Sequence, residues 1–537
     1  SPMRYRNLIF LLTFILGGIL SWLLVNDMAK QDRNRKTVKD ISTPAQINSV
    51  QPKSNRKDSQ IDLSDLSKAL QAIPGERIVQ FSSKESYQDF LKKLGNSRVR
   101  LLGKIDQLYA LRLGFDKLSD LDGLELDPDD LAFNYPVFIP SAPPIEDQGG
   151  VVGFDRTALE YLGISVDNST WGHGVTIAVV DTGIEPHLAL NKSILSINLA
   201  ELEDGVSPHS HGTSVASLIA GNHPNLMGVA PGADLISIRV ADQNGSSSSF
   251  LLAQGIMEAS LNGAQIINIS MGSNHNSPII NNAIQFAIEN GAVIVASPGN
   301  DGLSEAASPA RHPDVISVGA VDALGQHLNF SHTDENLSAS APGLQITAAY
   351  PGDKITEFSG TSASAPFFSG AIAAVMSESN SPISAQEAVD ILLATTNEAG
   401  APGADAVYGN GILDVGRAIN RNTAGITDLA VAAHQYVLPS ENQDNPGLQI
   451  SVENRGTEAV WGSTLAVSID GGQYPVQMNV LQPNERKVIT LPIGFSQFEQ
   501  EGLLEVQSTI TLSGNQADMK ESNNQRTEQI THPNNGL

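Results

Sequence analysis

The chain has 537 residues, too many for one ordinary domain and enough for three or four. A formal net charge of −26 disfavours nucleic-acid binding, which requires a basic surface. With no cysteine there are no disulfides, no thiolate metal site and no lipid-modified cysteine, so stability must come from packed cores.

Leu8 to Val25 is an uncharged apolar run of about 18 residues, long enough to cross a bilayer and longer than a usual signal-peptide core. Arg4 and Arg6 precede it, and no small-x-small cleavage pattern follows in Asn26-Asp27-Met28-Ala29-Lys30. Residues 1–29 are therefore expected to be a membrane anchor or signal sequence, with an uncleaved anchor favoured. Lys30, Arg33, Arg35 and Lys36 outnumber the two leading arginines, which by itself would keep the following chain in the cytoplasm. Long domains translocate largely regardless of flanking charge, so the expectation is a single-pass membrane protein with its folded part periplasmic or extracellular, secretion being the alternative. Residues 30–73 are polar and predict a flexible linker.

Residues 74–140 predict a small α/β unit. Arg77-Ile78-Val79-Gln80-Phe81 predicts a strand, and Tyr87, Phe90, Leu91 and Leu94 fall at helical spacing before Gly95. Val99 to Ile105 and Leu108 to Leu113 predict paired strands. Leu118, Leu121 and Leu124 predict a second helix, and Leu131 to Ile139 a last strand.

Residues 150–422 carry the chemistry. Val175 to Val180 is a short β-branched run that predicts a buried strand, and Asp181 follows at its carboxyl end, where catalytic groups of open α/β sheets gather. His211-Gly212-Thr213-Ser214 opens a run of small and apolar residues that predicts a tightly packed helix start. Ala264 to Ile269 predicts another strand, ending in Ser270-Met271-Gly272. Gly360-Thr361-Ser362 precedes an Ala- and Ile-rich run over 363–376, a buried helix with Pro366 expected in its first turn. From about Asp428 the pattern changes. Gln449 to Gly456, Thr464 to Asp470, Lys487 to Pro492 and Leu503 to Leu512 alternate between turn residues, so 426–535 predict an antiparallel β-sandwich.

A serine hydroxyl is a weak nucleophile and needs a base to take its proton. Ser362 is the candidate nucleophile, His211 the base that later protonates the leaving amine, and Asp181 the carboxylate that orients the imidazole. His209, lacking the Gly-Thr that follows His211, is the weaker candidate base. Asp, His and Ser occur in that order, each in its own motif: Val179-Val180-Asp181-Thr182-Gly183, His211-Gly212-Thr213-Ser214 and Gly360-Thr361-Ser362-Ala363. On these residues the chain resembles the subtilisin-like serine proteases (subtilases) over roughly residues 150–420.

The resemblance implies an α/β fold with a mostly parallel sheet flanked by helices, and a serine endopeptidase working through an acyl-enzyme on Ser362. It implies that Asn300, in Pro298-Gly299-Asn300-Asp301, is an oxyanion donor together with the Ser362 N–H. Ser270, Met271 and Gly272 would bind substrate backbone, with the serine run 245–249 as the opposite edge of the cleft. Ala307 would form the pocket base, and Asp301 would sit near its mouth. With nothing acidic at that base, apolar or aromatic residues are expected before the cut bond. No cofactor is required; Ca²⁺ is admitted as a structural ion, although no acidic loop shows recognisable ligand spacing.

The 74–140 unit resembles the ferredoxin-like propeptide of subtilases, implying a zymogen whose partners are protein or peptide substrates and its own propeptide; the membrane is an expected partner through the N-terminal span alone. The C-terminal stretch resembles an adhesion-type immunoglobulin-like (CARDB) module at Leu481-Gln482-Pro483-Asn484-Glu485 and Glu521-Ser522-Asn523-Asn524. The alternative function is a catalytically silent subtilase-fold surface or adhesion protein that binds partners through this sandwich.

Overall fold

The computed structural model describes residues 71–531, apart from 96, 128–129, 142, 144–149, 439–446, 494–502 and 515. The apolar run at 8–25 and most of the linker lie outside the described residues. Among the described residues no helix is long and apolar enough to cross a membrane.

Strands β1 (Glu76–Gln80), β2 (Arg100–Ile105), β3 (Ala110–Gly114) and β4 (Leu131–Ala132) form an antiparallel sheet in the order β2-β3-β1-β4. Its helix, Lys84–Leu94, starts where the Ser83 hydroxyl accepts from the Ser86 N–H, and it buries Tyr87, Phe90 and Leu94. The expected second helix is a 3-10 helix, Leu118–Leu124. The expected last strand is divided. Leu131–Ala132 stays with its own sheet, but β5 (Pro136–Phe138) leaves it. Asn134 marks the break. Its buried amide donates to Glu76 Oε2 and accepts from Ser249 Oγ and the Phe250 N–H. A buried amide satisfied at both ends holds the chain in one register, and the strand cannot run on past it.

The central layer is a seven-stranded sheet. It holds β6 (Thr176–Asp181), β7 (Leu195–Asn198) and β8 (Asp234–Arg239), whereas β9 (Ser246–Ser248) lies outside it and pairs antiparallel with β5. The remaining members are β10 (Ile266–Ile269), β11 (Val293–Ala296), β12 (Ile316–Val321) and β13 (Leu337–Pro342). The order is β13-β12-β11-β10-β6-β8-β7, and each adjacent pair is parallel. Sheets covered on both faces use continuous apolar strands, and Ile-Ile-Asn-Ile in β10 and Val-Ile-Val-Ala in β11 are buried throughout. In β6 alternate residues serve opposite layers. Ile177 and Val179 pack with the helices His211–Ala220 and Thr361–Glu378; Ala178 and Val180 pack with Ser249–Leu261 and Pro278–Glu289. The antiparallel hairpin of β14 (Ile346–Tyr350) and β15 (Lys354–Phe358) leads into the Thr361 helix.

The C-terminal strands are β16 (Leu429–Val437), β17 (Gly447–Asn454), β18 (Thr464–Ile469), β19 (Gly472–Gln477), β20 (Arg486–Leu491), β21 (Leu503–Thr511) and β22 (Gln525–Thr531). They form two antiparallel sheets, β16-β17-β20 and β19-β18-β21-β22, over a core that includes Ile450, Val452, Leu465 and Val506. A buried charge cluster ties this part to the α/β layer. Glu453, with no exposed surface, accepts from Arg417 at 2.8 Å, Arg455 at 2.9 Å and Arg486 at 3.4 Å, and Arg417 lies on the helix Val415–Asn420. Burial works against the Glu453 charge, but the three guanidinium groups outweigh it and lower its pKa to about 2. Glu453→Ala would leave those cations without their shared carboxylate. Unfolding by denaturant, measured in the Ser362→Ala background to prevent self-digestion, is expected to show a loss of about 3–5 kcal/mol.

Candidate active site

Asp181 is the last residue of β6 and is fully buried. His211 is the first residue of its helix, also buried, and Nδ1 lies 2.8 Å from Asp181 Oδ1 and 3.0 Å from Oδ2. An ionised carboxylate only accepts, so Nδ1 carries the proton and Nε2 is left with its lone pair. Thr182 sets the spacing. Its hydroxyl donates to the His209 carbonyl and accepts from the Gly212 N–H, clamping the helix start against the end of β6. Gly212 is needed for this approach, because a Cβ there would lie 2.4 Å from the Gly183 carbonyl oxygen. The Phe358 ring stands edge-on to the imidazole at 5.3 Å.

Ser362 is the second residue of the helix Thr361–Glu378. Pro366 is the sixth, beyond the first turn where the sequence pattern put it. It deprives the Ser362 carbonyl of its i+4 donor, and the Ser270 hydroxyl supplies one instead at 3.3 Å. In return Ser362 Oγ donates to the Ser270 carbonyl at 3.2 Å. His211 Nε2 is buried without a hydrogen-bond partner, and His211 and Ser362 both line a cavity of about 320 Å³. Asp181 and His211 are thus joined directly, and Ser362 faces the same cavity with its hydroxyl turned aside.

Asn300 is oriented from the other end of the same helix start. Its Oδ1 accepts from the Thr361 N–H and Thr361 Oγ1, each at 2.9 Å. A backbone N–H can only donate, so this contact identifies the oxygen and fixes where the NH₂ points. Gly360, at φ 120°, makes room; a Cβ there would lie 2.6 Å from Asn300 Nδ2. That nitrogen donates to the Ser141 carbonyl at 3.1 Å.

Residues 136–141 occupy the groove beside these groups. β5 pairs with β9 on one side. On the other, Phe138 and Gly272 exchange both backbone hydrogen bonds at 3.0 Å, and the Ile139 N–H donates to the Gly245 carbonyl at 3.2 Å. The serine run expected to edge the cleft is therefore a paired strand. Gly272 pairs with Phe138 in the groove, and Ser270 exchanges hydrogen bonds with Ser362. Met271 is fully buried in the core between the sheet and the Ser249 and Pro278 helices. It contributes packing, whereas Gly272 next to it is only partly buried.

Ala307 and Asp301 line a cavity of about 300 Å³, together with Ser273, Asn274, His275, Ser297 and His332. Its wall is more polar than the small residues read from sequence implied. His332 had no local signal, standing alone about thirty residues past Asn300. The fold places its Nδ1 on the Glu305 carbonyl at 3.0 Å, and its Nε2 accepts from the Asp301 N–H at 3.1 Å. Burial lowers the His332 pKa from its ordinary 6.5. A depressed histidine contributes stability above its unfolded pKa and loses it as pH falls through the folded value. Stability should therefore decline on acidification below pH 6.5, and His332→Gln, which keeps an acceptor, should flatten that part of the decline. Denaturation midpoints across pH in the Ser362→Ala background measure it.

The Subtilase family (Peptidase_S8) matches residues 172–411. Over 250 residues the chain is 36% identical to the Thermostable alkaline protease of Halalkalibacterium halodurans, covering 46% of this chain and 68% of that protein. It is 35% identical over 248 residues to Subtilisin Savinase of Lederbergia lenta, covering 45% and 90%. The chain is a subtilase. A longer match joins this subtilase to the Alkaline protease of Alkalihalobacillus alcalophilus, at 29% identity over 374 residues, 65% of this chain and 93% of that protein. The subtilase is a serine endopeptidase that hydrolyses peptide bonds. Asp181, His211, Asn300 and Ser362 all fall inside the matched span.

Proposed function

We propose that this subtilase cuts proteins through an acyl-enzyme on Ser362, with His211 as base and then acid, Asp181 as the orienting carboxylate and Asn300 as an oxyanion donor. The observation that carries the assignment is the buried Asp181–His211 pair, whose Nε2 has no hydrogen-bond partner and whose histidine lines the same cavity as Ser362. For attack, Ser362 Oγ turns from the Ser270 carbonyl to His211 Nε2, which no other group competes for. The negative charge formed on the substrate carbonyl meets Asn300 Nδ2, held in place before the reaction and therefore needing no reorganisation. Asn300→Ala is expected to lower kcat by about 10²–10³, the range found for the corresponding donor in subtilisin, with little change in KM. Peptide hydrolysis by a variant of unchanged thermal stability tests it; full turnover would remove Asn300 from this role.

The same reading makes residues 74–140 an inhibitory propeptide, 150–422 the peptidase domain and 426–535 an immunoglobulin-like module related to CARDB. The groove-bound strand β5 supports the zymogen. The buried Glu453 cluster supports a sandwich fixed to the peptidase as a stabilising appendage rather than a catalytically silent scaffold's binding arm. Residues 1–29 would anchor or export the chain, putting the enzyme in contact with substrates outside the cytoplasm. Among the described residues no group of three or more His, Cys, Asp or Glu side chains could hold a metal ion.

A further inference from the structure

We propose that this subtilase matures by cutting its own chain after Ser141, at the Ser141–Ala142 bond. The proposal rests on the catalytic roles given above and adds the bond itself. Three contacts define the register. Phe138 is fastened to Gly272 by two backbone hydrogen bonds. Ile139 is fastened to Gly245, and three residues after Phe138 the Ser141 carbonyl receives Asn300 Nδ2 at 3.1 Å. An amide whose oxygen is pinned by Thr361 can aim its NH₂ at one carbonyl in the groove, and that carbonyl belongs to Ser141. Ile139, Pro140 and Ser141 all border both cavities, the one that holds His211 and Ser362 and the one that holds Ala307 and His332, so the Asn300 contact is what singles out the Ser141 carbonyl. A one-residue slip would invert the face of every side chain from Pro136 onward and break the β5–β9 pairing, so the neighbouring bonds are not alternatives.

The reaction balances without a co-reactant other than water. Ser362 Oγ bonds to the Ser141 carbonyl carbon as its proton passes to His211 Nε2, and the carbonyl oxygen takes its negative charge beside Asn300. The C–N bond to Ala142 then breaks, His211 returns the proton to that nitrogen, and a free amine is released. Water hydrolyses the Ser141 ester, leaving a Ser141 carboxylate and a restored Ser362 hydroxyl. Substrate and nucleophile lie on one chain, which makes the first cut intramolecular. Ser141 is also a small residue at the mouth of a cavity of about 300 Å³. Backbone pairing, rather than a filled pocket, therefore selects this bond, and the maturation sequence does not report what the freed enzyme prefers to cut.

The test is a time course of intact mass and N-terminal sequencing during refolding of the full chain, beside Ser362→Ala and Ala142→Pro. The earliest wild-type products should be a fragment ending at Ser141 and a chain beginning at Ala142, formed at a rate unchanged by dilution. Ser362→Ala should stay in one piece, and Ala142→Pro should lose this cut while its fold is retained. Ser362-dependent cleavage first at another bond would overturn the assignment of Ser141 and leave the zymogen reading standing. A wild type that hydrolyses added peptide while its own chain stays whole would overturn both. The same cut in Ser362→Ala would show another protease at work and overturn self-cleavage.

Discussion

Ser362→Ala is expected to lower peptide-bond hydrolysis by about 10⁶, the size of loss a subtilisin shows when its nucleophile or its base is removed. The reason lies in the second turn of events, not in binding. Without the hydroxyl no ester can form, and what remains is transition-state stabilisation from the Asn300 amide and the groove. The fold should be untouched, since Ser362 Oγ makes only a 3.2 Å contact to the Ser270 carbonyl, and Ala fits the same buried helix start. An inactive variant would keep residues 136–141 in the groove, so turnover alone does not isolate the nucleophile. A fluorophosphonate probe supplies the second measurement. Peptide mass mapping should put its label on Ser362 in the wild type and nowhere in the variant. A label on any other serine would take the nucleophile away from this position.

Asp181→Asn is expected to cost about 10⁴ in kcat while leaving the fold in place. In the native pair the carboxylate accepts from His211 Nδ1 at 2.8 Å, so the lone pair is on Nε2, free to accept the Ser362 proton. An asparagine amide can donate to Nδ1 instead. The proton then moves to Nε2, and the ring can no longer take a proton from serine. The substitution also removes the charge that stabilises the imidazolium. The loss should therefore appear in kcat more than in KM, and should be partly relieved at high pH, where a stronger external base takes part. Equal loss in KM, or a large fall in melting temperature, would mean that Asp181 acts mainly by holding β6 to the helix at His211.

Much of this was legible in the sequence for local reasons. Strand β6 announces itself because parallel strands buried on both faces need consecutive β-branched residues, and Asp181 is placed by ending that run. Gly212 and Gly360 sit beside the catalytic candidates because each lets one backbone approach another more closely than a Cβ allows. The alternation in β17, β18, β20 and β21 is visible for the same kind of reason: each residue's face is decided by its neighbours two places away. Strands β16, β19 and β22 were not singled out, and their sheet positions depend on partners far along the chain.

The amino-acid sequence by itself determined the family, the order of the three reactive residues and the succession of α/β, parallel α/β and all-β portions. These follow from side-chain chemistry and periodicity within short windows. Only the tertiary structure decided that the strand expected over 131–139 breaks at Asn134, that Met271 faces the core, and that His332 enters the cavity wall. It alone joined Glu453 to Arg417 and laid Ser141 against Asn300, residues 159 positions apart. Such contacts depend on where the chain returns after folding. The energy that selects them comes from burial and pairing across the whole molecule, and no short stretch of residues contains it.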